Sequence, residues 1–407
     1  MPDIESEQAA LRASRAALAA LLTVMMLNML GFGVIVPLLP FYARSFHASG
    51  WAIGLMFSAY AAGAFLGEPF WGRLSDRIGR KPLLVVTVAA NCVCFLSLAF
   101  APNILAATLI RFLGGVAGGN GSVVSSYIAD VTPVAHRPGR MGLLGAAYNV
   151  GFIFGPGIGG LLARPEIGPA GFRPPLLAAA ALAAASALLI LLLVRESRVH
   201  ARRQGAQPSQ WAAAGAALRD PVIGPLMLLT FVVGLAFNGF ESTFGFWATH
   251  RYRWSTAAIG YCFTAAAITA TLGQALLTGP LSRRFGQTPM LAVGILVTAL
   301  CLVAQPFAPS GAVTVFFMAA MSLGQAFAYP NTTSLISRAT DADRQGQTLG
   351  LNNAMDSFSR LIGPQAALAL FAWTPDAPFY VGAGVMAPTV LLAIVAGRSL
   401  RRPMWPS

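Results

Sequence analysis

Charge is scarce in this chain. Asp, Glu, Lys and Arg make up only 10% of its 407 residues, against about 25% in an ordinary soluble protein. Acids are fewer than bases, 14 against 27. The four cysteines, Cys92, Cys94, Cys262 and Cys301, all lie in apolar stretches and show neither zinc spacing nor a disulfide framework. They read as small packing residues. The four histidines, His47, His136, His200 and His250, fall in loops and do not pair at metal-ligand spacing, and no phosphate-binding loop occurs. These absences argue against a metal, a cofactor and ATP as an energy source. No paired catalytic constellation points to an enzyme.

What the chain has instead is hydrophobic sequence, 56% by composition. Twelve apolar runs are long enough to cross a bilayer as helices: about 16–43, 51–71, 83–101, 104–128, 141–163, 175–194, 221–247, 256–278, 289–308, 311–336, 347–372 and 378–397. The runs are continuous rather than alternating, which favours helices over barrel strands. The expected fold class is therefore an all-α membrane protein of twelve transmembrane helices.

The net charge of +13 would suit a nucleic-acid partner, but its distribution does not. Of the 27 basic residues, 20 fall on one side: the first tail, the even-to-odd loops and the last tail. Arg44, Arg164, Arg173, Arg251 and Arg253 fall on the other side, and Arg111 and Arg360 inside runs. This is the positive-inside pattern, which places both termini in the cytoplasm; an even number of spans agrees. Asp3, Glu5 and Glu7 precede a first run too long for a leader's apolar region, so no cleavable signal is expected.

One 13-residue pattern occurs twice, 207 residues apart: GRLSDRIGRKPLL at Gly72–Leu84 and GPLSRRFGQTPML at Gly279–Leu291. Further pairs extend it: Trp51 and Gly54 with Trp254 and Gly260, Arg137-x-Gly139 with Arg344-x-Gly346, and Gly155-Pro156 with Gly363-Pro364. The chain reads as two six-helix halves in the same orientation, a plan used by secondary transporters. The expected organisation is a tail at 1–15, a bundle at 16–194, a cytoplasmic linker at 195–220, a second bundle at 221–397 and a tail at 398–407. The Ala-rich stretch around Trp211 reads as a surface helix within the linker.

Four stretches resemble the major facilitator superfamily, and the resemblance covers nearly the whole chain. Gly72–Leu84 is similar to its loop motif. Arg111 to Gly121, followed by Tyr127-Ile-Ala-Asp130, is similar to its fourth-span motif. Gly151-x-x-x-Gly155-Pro156-x-x-Gly159-Gly160 resembles its fifth-span antiporter motif. Asp343-Arg-Gln-Gly-Gln347 with Gly363-Pro364 resembles the start of the eleventh span in tetracycline exporters. Within the superfamily the chain looks like the twelve-span drug:proton antiporters, and most like the tetracycline-efflux branch. The resemblance implies the two-bundle major facilitator fold, alternating access about a midplane cavity, a small-molecule substrate, protons as coupling ion and no enzymatic step. It further implies a monomer in a bacterial inner membrane.

Several residues are candidates for the work. Gly72, Asp76, Arg77, Gly79 and Arg80 form a candidate cytoplasmic gate, with Lys81 beside them. Glycines allow close approach and a sharp turn, and Asp76 precedes a helix N-terminus. The second copy carries Arg283 in place of Asp76, so an acidic latch belongs to the first half alone. Arg111 lies inside a span, where a cation needs a partner or a cavity. The resemblance links it to proton transfer; the plainer reading is a structural ion pair or a snorkelling side chain. Glu241 shares a helical face with Asn238, Ser242 and Gly245, and an acid in a span is a candidate proton carrier, or else a hydrogen-bonded packing residue.

Asp356 and Arg360 stand four apart beside Asn352 and Ser359, either as a plain intrahelical pair or as one that breaks during the cycle. Glu68, beside Pro69 at the end of the second span, reads as cytoplasmic rim, with a proton site as the alternative. Gly151, Gly155, Pro156, Gly159 and Gly160 suit a bending, tightly packed span. Asn28, Asn149, Asn238, Asn352 and Arg360 are candidate cavity residues.

Tetracycline exporters commonly carry Asp where Asn28 stands, and the ninth run has no acid. Asn cannot carry a proton, so Glu241 or Asp356 is the expected coupling site. The leading reading is a proton-coupled exporter of amphipathic drugs or similar organic compounds. The alternatives are an exporter or facilitator of an endogenous metabolite, such as a sugar, siderophore or amino-acid-like compound, and, more distantly, a membrane sensor that transports nothing.

Overall fold

The computed structural model describes residues 4–132, 137–197, 215, 217–341 and 344–399. Most of the linker, including Trp211, lies outside the described residues, as do Asp343 and most of the last tail.

The described chain is helical throughout. The first span is Ile4–Ile35, continued by a short 3-10 turn and Leu39–Arg44; its helix begins well inside the segment expected as a tail. The second to sixth spans are Gly50–Ile78, Arg80–Ala99, Ile104–Gly118 continued by Gly121–Asp130, Arg137–Leu162, and Arg173–Leu193. The seventh to twelfth are Ile223–Tyr252, Thr256–Leu272 continued through a π turn to Phe285, Gln287–Ala304, Gly311–Ala339, Gln345–Trp373 and Ala377–Ser399.

Ten of these are apolar enough to cross a membrane by composition. The fifth and eleventh fall short because glycine, Asn and Ser dilute their hydropathy. At 26 and 29 residues they are still about 40 Å long, ample for the hydrocarbon core.

Local chemistry sets the helix ends. Asn103 accepts from the Ala106 N–H at 2.9 Å, and Asp220 Oδ1 accepts from the N–H groups of Val222 and Ile223 at 2.8 Å, both satisfying first-turn donors. The duplicated motif is hardly a loop. Its first seven residues complete the second span and its eighth, Gly79, is the single break, at φ 105°. Gly286 repeats the break at φ 93°. A residue with a Cβ rarely adopts such a φ, which explains why glycine recurs there.

Two compact units form. The first comprises Met1–Ala48, Ala59–Arg203 and Thr256–Thr264; the second comprises Ser49–Ser58, Gln204–Ser255 and Ala265–Ser407. In the first, span 1 packs on spans 5 and 6, and span 3 on spans 4 and 6. Its core joins Leu21, Val24 and Met25 with Leu84, Val88, Tyr127 and Ile190. In the second, span 7 packs on spans 11 and 12, and span 9 on spans 10 and 12. Adding six to each number of the first set gives the second, so the sequence repeat is also a repeat of packing.

Candidate functional site

Three glycine seams hold the candidate residues in place. In the first, a Cβ on Gly151 or Gly159 would overlap the carbonyls of Met26 or Val34, and one on Gly155 would stand 2.7 Å from Gly33 Cα. These three positions, four apart, seat the fifth span on the first. Gly160 faces elsewhere: its carbonyl accepts from Thr256 Oγ1 at 3.2 Å, while Gly260 packs against the Pro156 carbonyl. Both contacts lie within the first unit. In the second seam, Gly63 and Gly67 meet the Phe112 and Val116 carbonyls, and Gly115 meets that of Tyr60. The small residues following Arg111 are thus the bed of the second span. In the third seam, within the second unit, a Cβ on Gly239 would stand 2.9 Å from Ala367 Cβ and 3.2 Å from the Gly363 carbonyl.

Arg111 is 5% exposed. No ion pair holds it among the described residues. Its guanidinium lies 4.4 Å from the centre of the Tyr60 ring, a cation–π contact. Its Nε has no hydrogen-bond partner among the described residues. The Tyr60 hydroxyl occupies the space a side chain at Gly118 would need, so the glycine admits the ring that shields the charge.

The gate residues form a charged knot. Arg80 pairs with Asp76 at 2.8 Å and with Asp130 at 3.3 Å, and donates to the Ser75 hydroxyl. Glu196 accepts from the backbone N–H groups of Arg80 at 2.9 Å and Lys81 at 3.1 Å, capping the third span. A Cβ on Gly79 would stand 2.5 Å from that carboxylate, a second reason for glycine. Ser197 Oγ donates to Asp130 at 3.3 Å. Arg77 is exposed, and Gly72 lies against Ser122. The equivalent corner at Gly286 faces only Pro289. Asp76→Asn is accordingly expected to slow transport without impairing membrane insertion, with Arg283→Asn milder. Equal effects in a flux assay would remove the case for an acidic latch in the first half alone.

The second unit carries the other acids. Asp356 and Arg360 pair at 3.1 Å on the eleventh span. Their side chains are 24% and 53% exposed, so the pair is open to its surroundings. Glu241, half-buried on the seventh span, lies within electrostatic reach of Arg360. Asn238 and Asn352 do not line an open face: they are 8% and 1% exposed. Asn238 Nδ2 donates to Ser359 Oγ at 3.1 Å, and Thr230 Oγ1 donates to Asn352 Oδ1 at 2.7 Å. They bond the seventh span to the eleventh. Asn28 and Asn149 are half-buried in the first unit.

Sequence patterns alone pass over Glu196 and Tyr60 as working residues. Only Glu196 has a local signal, as the first acid after the sixth run.

The chain and its fold have counterparts among known proteins. A model of the Major Facilitator Superfamily matches residues 21–273 and again 226–406. The chain belongs to the major facilitator superfamily. The double match restates the internal repeat. Tetracycline resistance protein, class C, of Escherichia coli is 30% identical over 407 residues, covering 96% of this chain and 98% of that one. Multidrug resistance protein 2 of Bacillus subtilis is 27% identical, covering 88% and 89%. Quinolone resistance protein NorA of Staphylococcus aureus is 27% identical, covering 90% and 92%.

Solved structures share the fold. The human organic anion transporter MFSD10 superposes with a TM-score of 0.70 at 20% identity, covering 93% of this chain and 99% of that one. Nucleoside transporter NupG gives 0.73 at 14%, covering 95% and 100%. The chain is a multi-pass membrane transporter of small molecules and not an enzyme.

Proposed function

We propose that this chain is a proton-coupled exporter of amphipathic organic compounds. It works by alternating access, as a monomer in a bacterial inner membrane with both termini cytoplasmic. The observation that carries this reading is full-length similarity to drug-resistance proteins together with Glu241, Asp356 and Arg360 gathered in the spans of one unit. The knot of Asp76, Arg80, Asp130 and Glu196 serves as the cytoplasmic latch, and the glycine seams let the spans shift without leaving voids. The linker at 195–220 joins the two bundles.

Asn28, where tetracycline exporters commonly carry Asp, supports a cargo other than tetracycline, including an endogenous metabolite. The test is a susceptibility panel. Expressing cells should tolerate several amphipathic compounds better than control cells, and a proton uncoupler should erase the difference. Purified protein in liposomes should move the same compounds when a pH gradient is imposed. Tolerance that persists with the uncoupler would overturn proton coupling, and absence of any flux would overturn export itself.

Orientation has its own measurement. A thiol reagent applied outside intact cells should miss a cysteine placed at Gly205 and label one placed at Gly168; the reverse pattern would invert the topology.

A further inference from the structure

The fourth span is broken. Asn120 N–H donates to the Gly118 carbonyl at 2.8 Å, two residues back, and a new helix starts at Gly121. The Asn120 side chain does not cap it; its amide donates instead to Thr87 Oγ1 at 2.9 Å. The N–H groups of Val123 and Val124 donate to the Asn120 carbonyl at 3.0 and 3.1 Å, so it is those of Gly121 and Ser122 that need another acceptor.

Glu68, on the second span, brings a carboxylate to this end: its Oε1 would stand 3.3 Å from a Cβ on Gly121. In the same contact, Ser122 Oγ donates to the Glu68 backbone carbonyl at 3.2 Å. Tyr148, on the fifth span, lies within electrostatic range of Glu68 and of Tyr60, the ring of which lies under Arg111. Glu68 is itself exposed on the protein surface. At the far end of the same short helix, Asp130 pairs with Arg80.

We propose that Glu68 is a proton-binding acid of the first unit, and that its protonation releases the inner half of the fourth span and with it the Asp130–Arg80 clasp. The ionised carboxylate stands at the positive end of the helix dipole. Protonation removes the charge and weakens that interaction. The helix then gains freedom at its start, and its end carries Asp130. This inference rests on the proton-coupled reading above and adds a second acid to it, in the unit that lacks Glu241 and Asp356.

The test uses the full-length protein in lipid nanodiscs and in liposomes. In hydrogen–deuterium exchange corrected for intrinsic rates, residues 121–130 of the wild type should lose protection as pH falls from about 8 to about 5, across the carboxylate range. Glu68→Gln should show low protection at both pH values. In liposomes, ethidium serves as the probe. Its initial rate under an imposed pH gradient should fall at least about tenfold in Glu68→Gln, while exchange without a gradient persists; Glu68→Asp should recover part of the gradient-driven rate.

A Glu68→Gln protein with the wild-type pH profile in either measurement overturns the inference. So does one that loses gradient-driven and gradient-free movement alike while exchange at 121–130 keeps its wild-type pH dependence. If the wild type moves ethidium with no pH dependence, the proton-coupled reading fails first; if only the variant arm is unchanged, this inference fails alone.

Discussion

Glu241→Gln is expected to abolish transport driven by a pH gradient while leaving substrate binding measurable. Counting charges gives the reason. Glu241, Asp356 and Arg360 lie in two packed spans of the second unit. With both acids ionised, the group carries a net charge of about −1, and a single proton brings it to neutrality. Uncompensated charge within a membrane protein is costly, so the protonated and deprotonated states favour different surroundings. That difference is what lets a proton bias a two-state transporter. Gln keeps the size and hydrogen bonding of Glu but fixes the cluster in its neutral form.

Of the two acids, Asp356 already has its salt bridge at 3.1 Å. The expected loss of gradient-driven rate is at least about tenfold, equivalent to ~1.4 kcal/mol, read as proton-linked flux in liposomes. Binding is read separately by calorimetry. Normal export by Glu241→Gln would pass the role to Asp356, and Asp356→Asn should then show the missing phenotype. An unchanged pH dependence in both variants would make the protein a facilitator.

Much of this architecture is legible in the amino-acid order because the signals are local. Continuous apolar runs give the spans, the 207-residue repeat gives the duplication, and the arginine distribution gives the expected orientation. Helix ends are less legible. The apolar run predicts an end near 71 for the second span, which continues to Ile78, because Arg73, Asp76 and Arg77 are tolerated in a helix even where they are too polar for lipid. The break in the fourth span sits in Gly118-Gly119-Asn120-Gly121, a turn-like run hidden inside an apolar one.

Contacts between distant residues leave no local pattern at all. Glu196 caps a helix 116 positions earlier. Asn238 and Asn352 share a polar periodicity that a cavity and a helix–helix seam would both produce. Periodicity tells which residues share a face, not what that face meets; here it meets Ser359 and Thr230.

The second large effect is steric. Gly159→Leu should prevent the first and fifth spans from closing on each other and sharply reduce the yield of folded protein. A Cβ there would overlap the Val34 carbonyl, and that atom belongs to helix backbone, which cannot rotate aside. Overpacking of this kind costs about 1–3 kcal/mol when side chains can adjust. It costs more when two helices must separate, because every contact along the seam weakens together. Gly155→Leu should behave alike, since Gly33 Cα would lie 2.7 Å from its Cβ.

The fifth span supplies its own controls. At Gly142 and Gly145 a Cβ would meet nothing within 4 Å, so Gly142→Ala and Gly145→Ala should leave stability unchanged or raise it by about 0.4–1 kcal/mol through the unfolded chain. The measurement is the thermal midpoint of detergent-solubilised protein for all four variants. If Gly159→Leu melts with the Gly142 and Gly145 variants, the seam is not what holds these spans. A loss confined to Gly155 and Gly159 would show that the fifth-span glycines act first through backbone contact with span 1, and through bending only within that constraint.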